Sequence, residues 1–277
     1  MDEPMTLRPI GVFDSGVGGL TVLDALRQTM PREDLIYLGD TARVPYGNRT
    51  PQTIIRYASS CAKQLVDRGV KAIVIACNTA SAHALDELQK SLDIPVFGVI
   101  EPASQMALQV SHAKAIGIIG TRATIASNAY TRAIHAIDHT AHVYSLACPL
   151  FVPLVEEGWA NTDVARQVVE KYLSDLLQLA DNDKIDTLIL GCTHYPILKS
   201  QMEHALQKFG CTMTLCDCAQ ATASTLIDQL KARNLIASRT RKGHSTYLVT
   251  DDPAQLSDIG RSFMKNPPEN VQHIDIV

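Results

Sequence analysis

The 277-residue chain is long enough for one large domain or two of ordinary size, and 46% hydrophobic residues at a mean hydropathy of +0.02 describe a globular protein with a sizeable core. A net charge of −4 and a pI near 6.1 leave no electrostatic footprint for nucleic acid; the one basic cluster, Arg239-Thr240-Arg241-Lys242, reads as a solvated turn. No apolar stretch approaches the ~20 residues that span a bilayer, and Met1-Asp2-Glu3-Pro4 does not open a secretory signal. No membrane partner is therefore expected, and a cytoplasmic location with the seven cysteines reduced is.

Strand and helix alternate along the chain. Ile10 to Phe13 forms a short apolar run that ends in Asp14-Ser15-Gly16-Val17-Gly18-Gly19, followed by a helical stretch from Leu20 to Arg27. Leu35 to Leu38 predicts a second strand closed by Gly39-Asp40. Thr50-Pro51 is a good helix start, with Ile54, Ala58, Cys61 and Leu65 at helical spacing and Gly69 as the stop. Strands follow over 72–76 and 96–99. The order then restarts. Ile116-Gly117-Ile118-Ile119-Gly120-Thr121 echoes Ile10-Gly11-Val12-Phe13-Asp14-Ser15, and Val143 to Leu146 predicts another strand. Thr162 caps a long helix whose apolar face is read as Val164, Val168, Tyr172 and Leu176. Leu188 to Leu190 is a strand, and Pro196 opens a helix that stops at Phe209-Gly210. The remainder, a strand over 213–215, a helix over 221–231 and a strand over 246–249, is expected to complete the sheet of the first half.

Two cysteines occupy matched positions in these halves. Ala72-Ile73-Val74-Ile75-Ala76-Cys77-Asn78-Thr79 and Thr187-Leu188-Ile189-Leu190-Gly191-Cys192-Thr193-His194 each run from an apolar strand through a small residue to a cysteine and two polar residues. The expected fold is α/β: two similar domains with mainly parallel sheets, related by internal pseudo-symmetry, with the active site between them. The expected boundaries are 1–98 plus 211–277 for the first domain and 99–210 for the second. In such sheets ligands bind beyond the carboxyl ends of the strands, where Asp14, Ser15, Asp40, Cys77, Asn78, Thr79, Cys192, Thr193 and His194 fall.

A free cysteine is often simply a core residue, and Cys61 reads that way, as do Cys148, Cys211, Cys216 and Cys218 by default. Repetition at two strand ends sets Cys77 and Cys192 apart, and His194 stands two residues from the second thiol, able to exchange its proton. Zinc is disfavoured: Cys192-Thr193-His194 and Cys216-Asp217-Cys218 leave single-residue gaps where structural sites use two to four. His135 and His139 are read as a solvated helix face. The glycine-rich turn fails as a dinucleotide site, because its third glycine would fall on Thr21 and Asp14 would repel a pyrophosphate. No phosphate-binding loop and no pyridoxal lysine is apparent, so no cofactor and no metal are expected. Two thiols, a carboxylate, an imidazole and the neutral donors Ser15, Asn78, Thr79 and Thr193 suit proton transfer at the α-carbon of an amino acid, one thiol entering as thiolate and the other protonated.

At these residues the chain resembles the aspartate/glutamate racemase family, in its glutamate-specific branch. The resemblance is carried by residues 10–20, by Gly39-Asp40-Thr41-Ala42-Arg43-Val44-Pro45-Tyr46-Gly47, by Ala76-Cys77-Asn78-Thr79-Ala80-Ser81-Ala82, by Gly98-Val99-Ile100-Glu101-Pro102, and by Gly191-Cys192-Thr193-His194-Tyr195-Pro196. It implies cofactor-independent interconversion of L- and D-glutamate for peptidoglycan, with Cys77 and Cys192 as acid/base thiols assisted by Asp14 and His194. It further implies substrate contacts from Asp14, Ser15, Tyr46, Gly47, Asn78, Thr79, Thr193 and His194. Glu156 matches an assisting carboxylate, with Glu157 adjacent as the alternative. A homodimer is implied as well. Some relatives carry an N-terminal extension linked to activation by a peptidoglycan precursor, and the nine residues before Ile10 make that regulation unexpected here. The competing readings are a related two-cysteine racemase or isomerase of aspartate, hydantoin or maleate type, and an additional gyrase-binding inhibitor role.

Overall fold

In a computed structural model, which describes residues 4–181 and 183–276, the chain divides into two compact units, Met1–Val99 with Ala219–Val277 and Ile100–Cys218. In chain order the first unit begins with β1 (Ile10–Asp14), α1 (Leu20–Thr29), β2 (Leu35–Gly39), α2 (Pro51–Val66), β3 (Ala72–Ile75), α3 (Asn78–Ser91) and β4 (Val96–Gly98). The second follows with α4 (Ile100–Val110), β5 (Ala115–Gly120), α5 (Arg122–Ala126), α6 (Ala129–Ile137), β6 (His142–Ala147), α7 (Phe151–Glu156), α8 (Asp163–Leu179), β7 (Thr187–Gly191), α9 (Lys199–Lys208) and β8 (Thr214–Asp217). Then α10 (Cys218–Ala232), β9 (Ser245–Val249), α11 (Pro253–Phe263) and β10 (Gln272–His273) complete the first unit.

All strand pairs are parallel. The first sheet has the order β10-β9-β2-β1-β3-β4 and the second β6-β5-β7-β8. Strands β1, β3, β5 and β7 are buried along their whole length, as sheets covered by helices on both faces require. The order β2-β1-β3-β4 in one unit maps onto β6-β5-β7-β8 in the other, so the repeat read from the sequence is a repeat of topology.

That mapping corrects one expectation. The strand near Met213 does not join the first sheet; β8 pairs with β7, Thr187 opposite Thr214 and Leu190 opposite Asp217. It is the counterpart of β4, reached in each unit by one helix after the cysteine, and a short connection from α9 delivers it to the open edge beside β7. The strand near Thr246 does extend the first sheet, through Leu35 opposite Ser245.

Three local readings also change. The buried face of α8 is Ala165, Val169, Leu173 and Leu176: Leu176 is as expected, the other three stand one position on from the expected Val164, Val168 and Tyr172, and Val164 is exposed. His139 lies beyond the end of α6, while His135 Nε2 bonds the Ala141 carbonyl at 3.1 Å. Arg239 is not simply solvated: its guanidinium pairs with Asp34 and donates to the Leu7 carbonyl. By contrast, α2 follows its pattern, with Thr50 accepting from Thr53 N and Ile54, Ala58, Cys61 and Leu65 buried.

A buried ion pair ties the amino-terminal ends of β2 and β3 to the returning chain. Lys71 Nζ lies 2.6 Å from Glu33 Oε2 and donates to the Thr6 carbonyl at 2.8 Å, while Glu33 Oε1 accepts from Ala237 N at 2.7 Å. Removing one member strands the other charge away from water. Lys71→Met should cost about 3–5 kcal/mol in chemical denaturation; a variant as stable as the parent would show that Glu33 needs no counter-charge.

Candidate functional site

In the first unit the site is assembled by strand register. Phe13 pairs with Ile75, and Ala76 N donates to the Phe13 carbonyl at 2.8 Å, so Asp14 and Cys77 emerge side by side at the ends of β1 and β3. Cys77 is the N-cap of α3: its sulfur accepts from Ala80 N at 3.4 Å, and its thiol donates to Ser15 Oγ at 3.4 Å. Such helix-end donors favour the thiolate. Burial opposes them, and the Asp14 charge adds to it, so the Cys77 pKa is pushed up to about 11. Asn78 and Thr79 open α3 and are buried beside the thiol.

Asp14 is fully buried and accepts from Gly16 N at 3.0 Å, which curls the glycine-rich turn back on its own carboxylate. Gly19 is required by space here, because a Cβ on it would lie 2.5 Å from Asp14 Cβ. The turn is also held by Tyr37, whose hydroxyl donates to the Gly16 carbonyl at 2.8 Å; burial together with the nearby Asp14 and Cys77 charges keeps that phenol neutral.

The loop carrying Tyr46 and Gly47 hangs on Asp40. This buried carboxylate accepts from Arg43 Nε at 2.9 and 2.7 Å, from the Tyr46 hydroxyl, and from Thr250 Oγ1 at 3.0 Å. Arg43 also stacks over the Tyr57 ring at 4.5 Å. With its acceptors so engaged, Asp40 acts as an anchor, and the Tyr46 side chain points into that anchor.

In the second unit Cys192 follows β7, again an internal strand, flanked by β5 and β8. Its sulfur lies 3.9 Å from His194 Nδ1, which is also 3.5 Å from Thr193 Oγ1. His194 Nε2 lies 2.9 Å from Glu156 Oε1. With the Nε2 proton donated to Glu156, Nδ1 presents its lone pair to the thiol. The chain Cys192–His194–Glu156 can therefore take the thiol proton and balance the imidazolium it creates. Aromatic packing places Glu156: Phe151, the first residue of α7, meets Tyr195 edge-on at 5.0 Å and Tyr172 at 5.1 Å, and the Tyr195 hydroxyl donates to the Cys148 carbonyl at 2.9 Å.

The structure thus brings Asp14, Ser15, Cys77, Asn78 and Thr79 together in one unit, and Glu156, Cys192, Thr193 and His194 in the other. Between the adjacent acids it is Glu156 that reaches the imidazole; Glu157 is the exposed cap of α7. Sequence reasoning missed Phe151, Tyr172 and Tyr37 as supports. Their only signal was the presence of aromatic residues near the motifs, which carries no contact information.

Two parallel α/β units of matching strand order thus each end an internal strand in a buried cysteine, Cys77 beside Asp14 and Ser15, Cys192 beside His194. A model of the Asp/Glu/hydantoin racemase family matches residues 10–226, and the chain belongs to that family. It is 44% identical over 272 residues to a glutamate racemase of Geobacter metallireducens, covering 98% of each chain. Among solved structures it is similar to the glutamate racemase of Thermus thermophilus in complex with β-chloro-D-alanine (TM-score 0.86, 43% identity, 98% of each chain). It is likewise similar to that of Francisella tularensis in complex with D-glutamate (TM-score 0.89, 38% identity, 98% of each chain).

The Asp14 charge and the raised Cys77 pKa make a testable pair. Asp14→Asn removes a negative charge that disfavours the thiolate, so the Cys77 pKa should fall below about 11 and the thiolate fraction at a given pH should rise. Cys77 alkylation, followed by peptide mass spectrometry across pH 7–11, should therefore shift to lower pH in the variant; an unmoved profile would remove Asp14 as a cause.

Proposed function

We propose that the protein racemises glutamate without a cofactor, using Cys77 and Cys192 as the two acid/base thiols. The observation that carries this reading is the pairing of each thiol with its own proton-handling group: Cys77 with Ser15 and Asp14, and Cys192 with His194 and Glu156. Similarity to glutamate racemases, among them one solved with D-glutamate, supports the choice of substrate.

The reaction requires one thiolate and one thiol to meet opposite faces of the same α-carbon. The thiolate takes the α-proton, so a C–H bond breaks and an S–H bond forms. The other thiol gives its proton to the opposite face, so an S–H bond breaks and a C–H bond forms. The reverse direction exchanges the two roles. Substrate is held by Asp14, Ser15, Asn78 and Thr79, by Thr193 and His194, and by the backbone of Tyr46-Gly47. The ammonium of the bound amino acid offsets the Asp14 charge that opposes a Cys77 thiolate, so binding itself moves the thiol toward its working pKa. In this reading the D-glutamate formed supplies peptidoglycan synthesis in the cytoplasm, and the active species is a homodimer, which light scattering after size exclusion tests.

Circular-dichroism assays on D-glutamate, D-aspartate and D-alanine should show turnover of glutamate above the others, with one solvent deuterium incorporated at Cα per inversion. Cys77→Ser and Cys192→Ser should each lose about 10²–10⁴-fold in kcat/KM; full activity in either ends the two-thiol mechanism, and preference for aspartate moves the substrate assignment. Glu156→Gln should lower kcat about 10-fold or more while Glu157→Gln leaves it unchanged; equal effects would show that the bond to His194 is not the one that matters.

A further inference from the structure

We propose that Tyr130 is a positioning residue for the Cys192 thiol, acting through a hydroxyl–thiol–carbonyl chain behind the end of β7. The proposal rests on the two-thiol reading above and adds a residue to it.

Tyr130 lies on α6 with only 2% of its surface exposed. Its hydroxyl is 3.1 Å from Cys218 Sγ, and Cys218 Sγ donates to the Leu190 carbonyl at 3.2 Å. A thiol has a single proton. Since it goes to Leu190, the Tyr130 hydroxyl donates to the sulfur. Burial pushes the Cys218 thiol up to about 12 and holds the Tyr130 phenol well above its ordinary value, so both remain protonated and the chain keeps one direction. The phenol also feels the Cys192 and Asp217 charges, which places it within electrostatic reach of the reacting sulfur.

The chain ends two residues before Cys192, and the intervening position is closely packed. A Cβ on Gly191 would lie 2.7 Å from the Ile119 carbonyl oxygen and 3.1 Å from Tyr130 Cε2. The tyrosine therefore grips the strand end twice: its ring edge covers Gly191, and its hydroxyl fixes the Leu190 carbonyl through Cys218. Those two peptide planes set the direction of the Cys192 side chain. A phenylalanine would fill the same volume without a buried hydroxyl that needs a partner, so packing alone does not account for the oxygen. Proton transfer to carbon demands a reacting distance of about 3–3.5 Å with aligned orbitals, and a tilt of this strand end moves the sulfur off that line.

The test uses Tyr130→Phe with D- and L-glutamate, each protiated or deuterated at Cα. The two enantiomers have equal free energy, so kcat/KM must fall equally in both directions, and the loss should be about 10- to 100-fold. The fingerprint is the primary isotope effect. It should rise with the enantiomer deprotonated by Cys192, because that transfer has become more limiting, and fall with the other. Cys218→Ala should reproduce this opposed shift from the far end of the chain, and Cys218→Ser, which keeps a donor to Leu190, should restore the parent values. A merely structural defect lowers the amount of active enzyme and leaves both isotope effects as they were; that result, or parent kinetics in Tyr130→Phe, overturns the proposal. If the parent protein incorporates no solvent deuterium at Cα of either enantiomer, it is the two-thiol reading that fails.

Discussion

Each of the two matched cysteines, Cys77 and Cys192, follows a strand that is hydrogen-bonded on both sides. Strand β3 lies between β1 and β4, and β7 lies between β5 and β8. Such a strand cannot slide without breaking two ladders, and a one-residue slip would reverse every side chain on it. Everything in the two sites is hung on that constraint. Asp14 stands beside Cys77 because Phe13 is in register with Ile75. Cys192 starts where it does because Gly120 is in register with Gly191. Ordering a thiol this way needs no loop to freeze at the moment of reaction, since its position is already part of the sheet.

The repeat is kept in the backbone and broken in the charges. The residue of β5 equivalent to Asp14 is Gly120, so β5 does not end in a carboxylate as β1 does. In the second unit the carboxylate arrives from a different element, α7, and works at one remove, through His194 Nε2. The consequence for each thiol differs in sign. A carboxylate directly beside a buried sulfur raises its pKa, as Asp14 does for Cys77. A carboxylate behind an imidazole instead stabilises the cation formed when that imidazole takes the thiol proton.

Much of this was legible in the sequence, and the reasons are specific. Apolar runs of four to six residues ending in Asp14, Cys77 and Cys192 announce buried parallel strands with polar ends, and duplication of the run made the two cysteines stand out. What escaped were contacts set by a third dimension that periodicity does not encode. The repeat contained the placement of β8, since β4 has the same relation to Cys77, but one strand near a domain junction has two sheets to choose from until the fold decides. The face of α8 was read one residue off because Val164 and Val168 match helical spacing as well as Ala165 and Val169 do; small alanines carry a weak apolar signal yet pack closely. Asp40 falls at a strand end where a ligand is expected and is instead fully engaged by Arg43, Tyr46 and Thr250, the last 210 positions away. Glu156 was separable from Glu157 only once α7 was docked through Phe151 on Tyr195.

On the proposed mechanism the asymmetry has a necessary use. L- and D-glutamate are equal in free energy, so unequal thiol environments cannot make one direction more efficient at low substrate. They decide how the resting protein holds its proton. With no cofactor to accept charge, a turnover can begin only from one thiolate and one thiol, and two identical environments would leave both thiols protonated near neutral pH. A Cys77 pKa pushed up to about 11 keeps that sulfur protonated, while the His194–Glu156 pair offers the Cys192 proton somewhere to go. One enantiomer then finds the protein ready. Its turnover leaves the proton on the opposite sulfur, and the protein must exchange that proton before the next; the other enantiomer needs the exchange before it can react. The imidazole serves that return as well as the forward step, because His194 is backed by a carboxylate that remains more than a third exposed and so connects the buried sulfur to solvent.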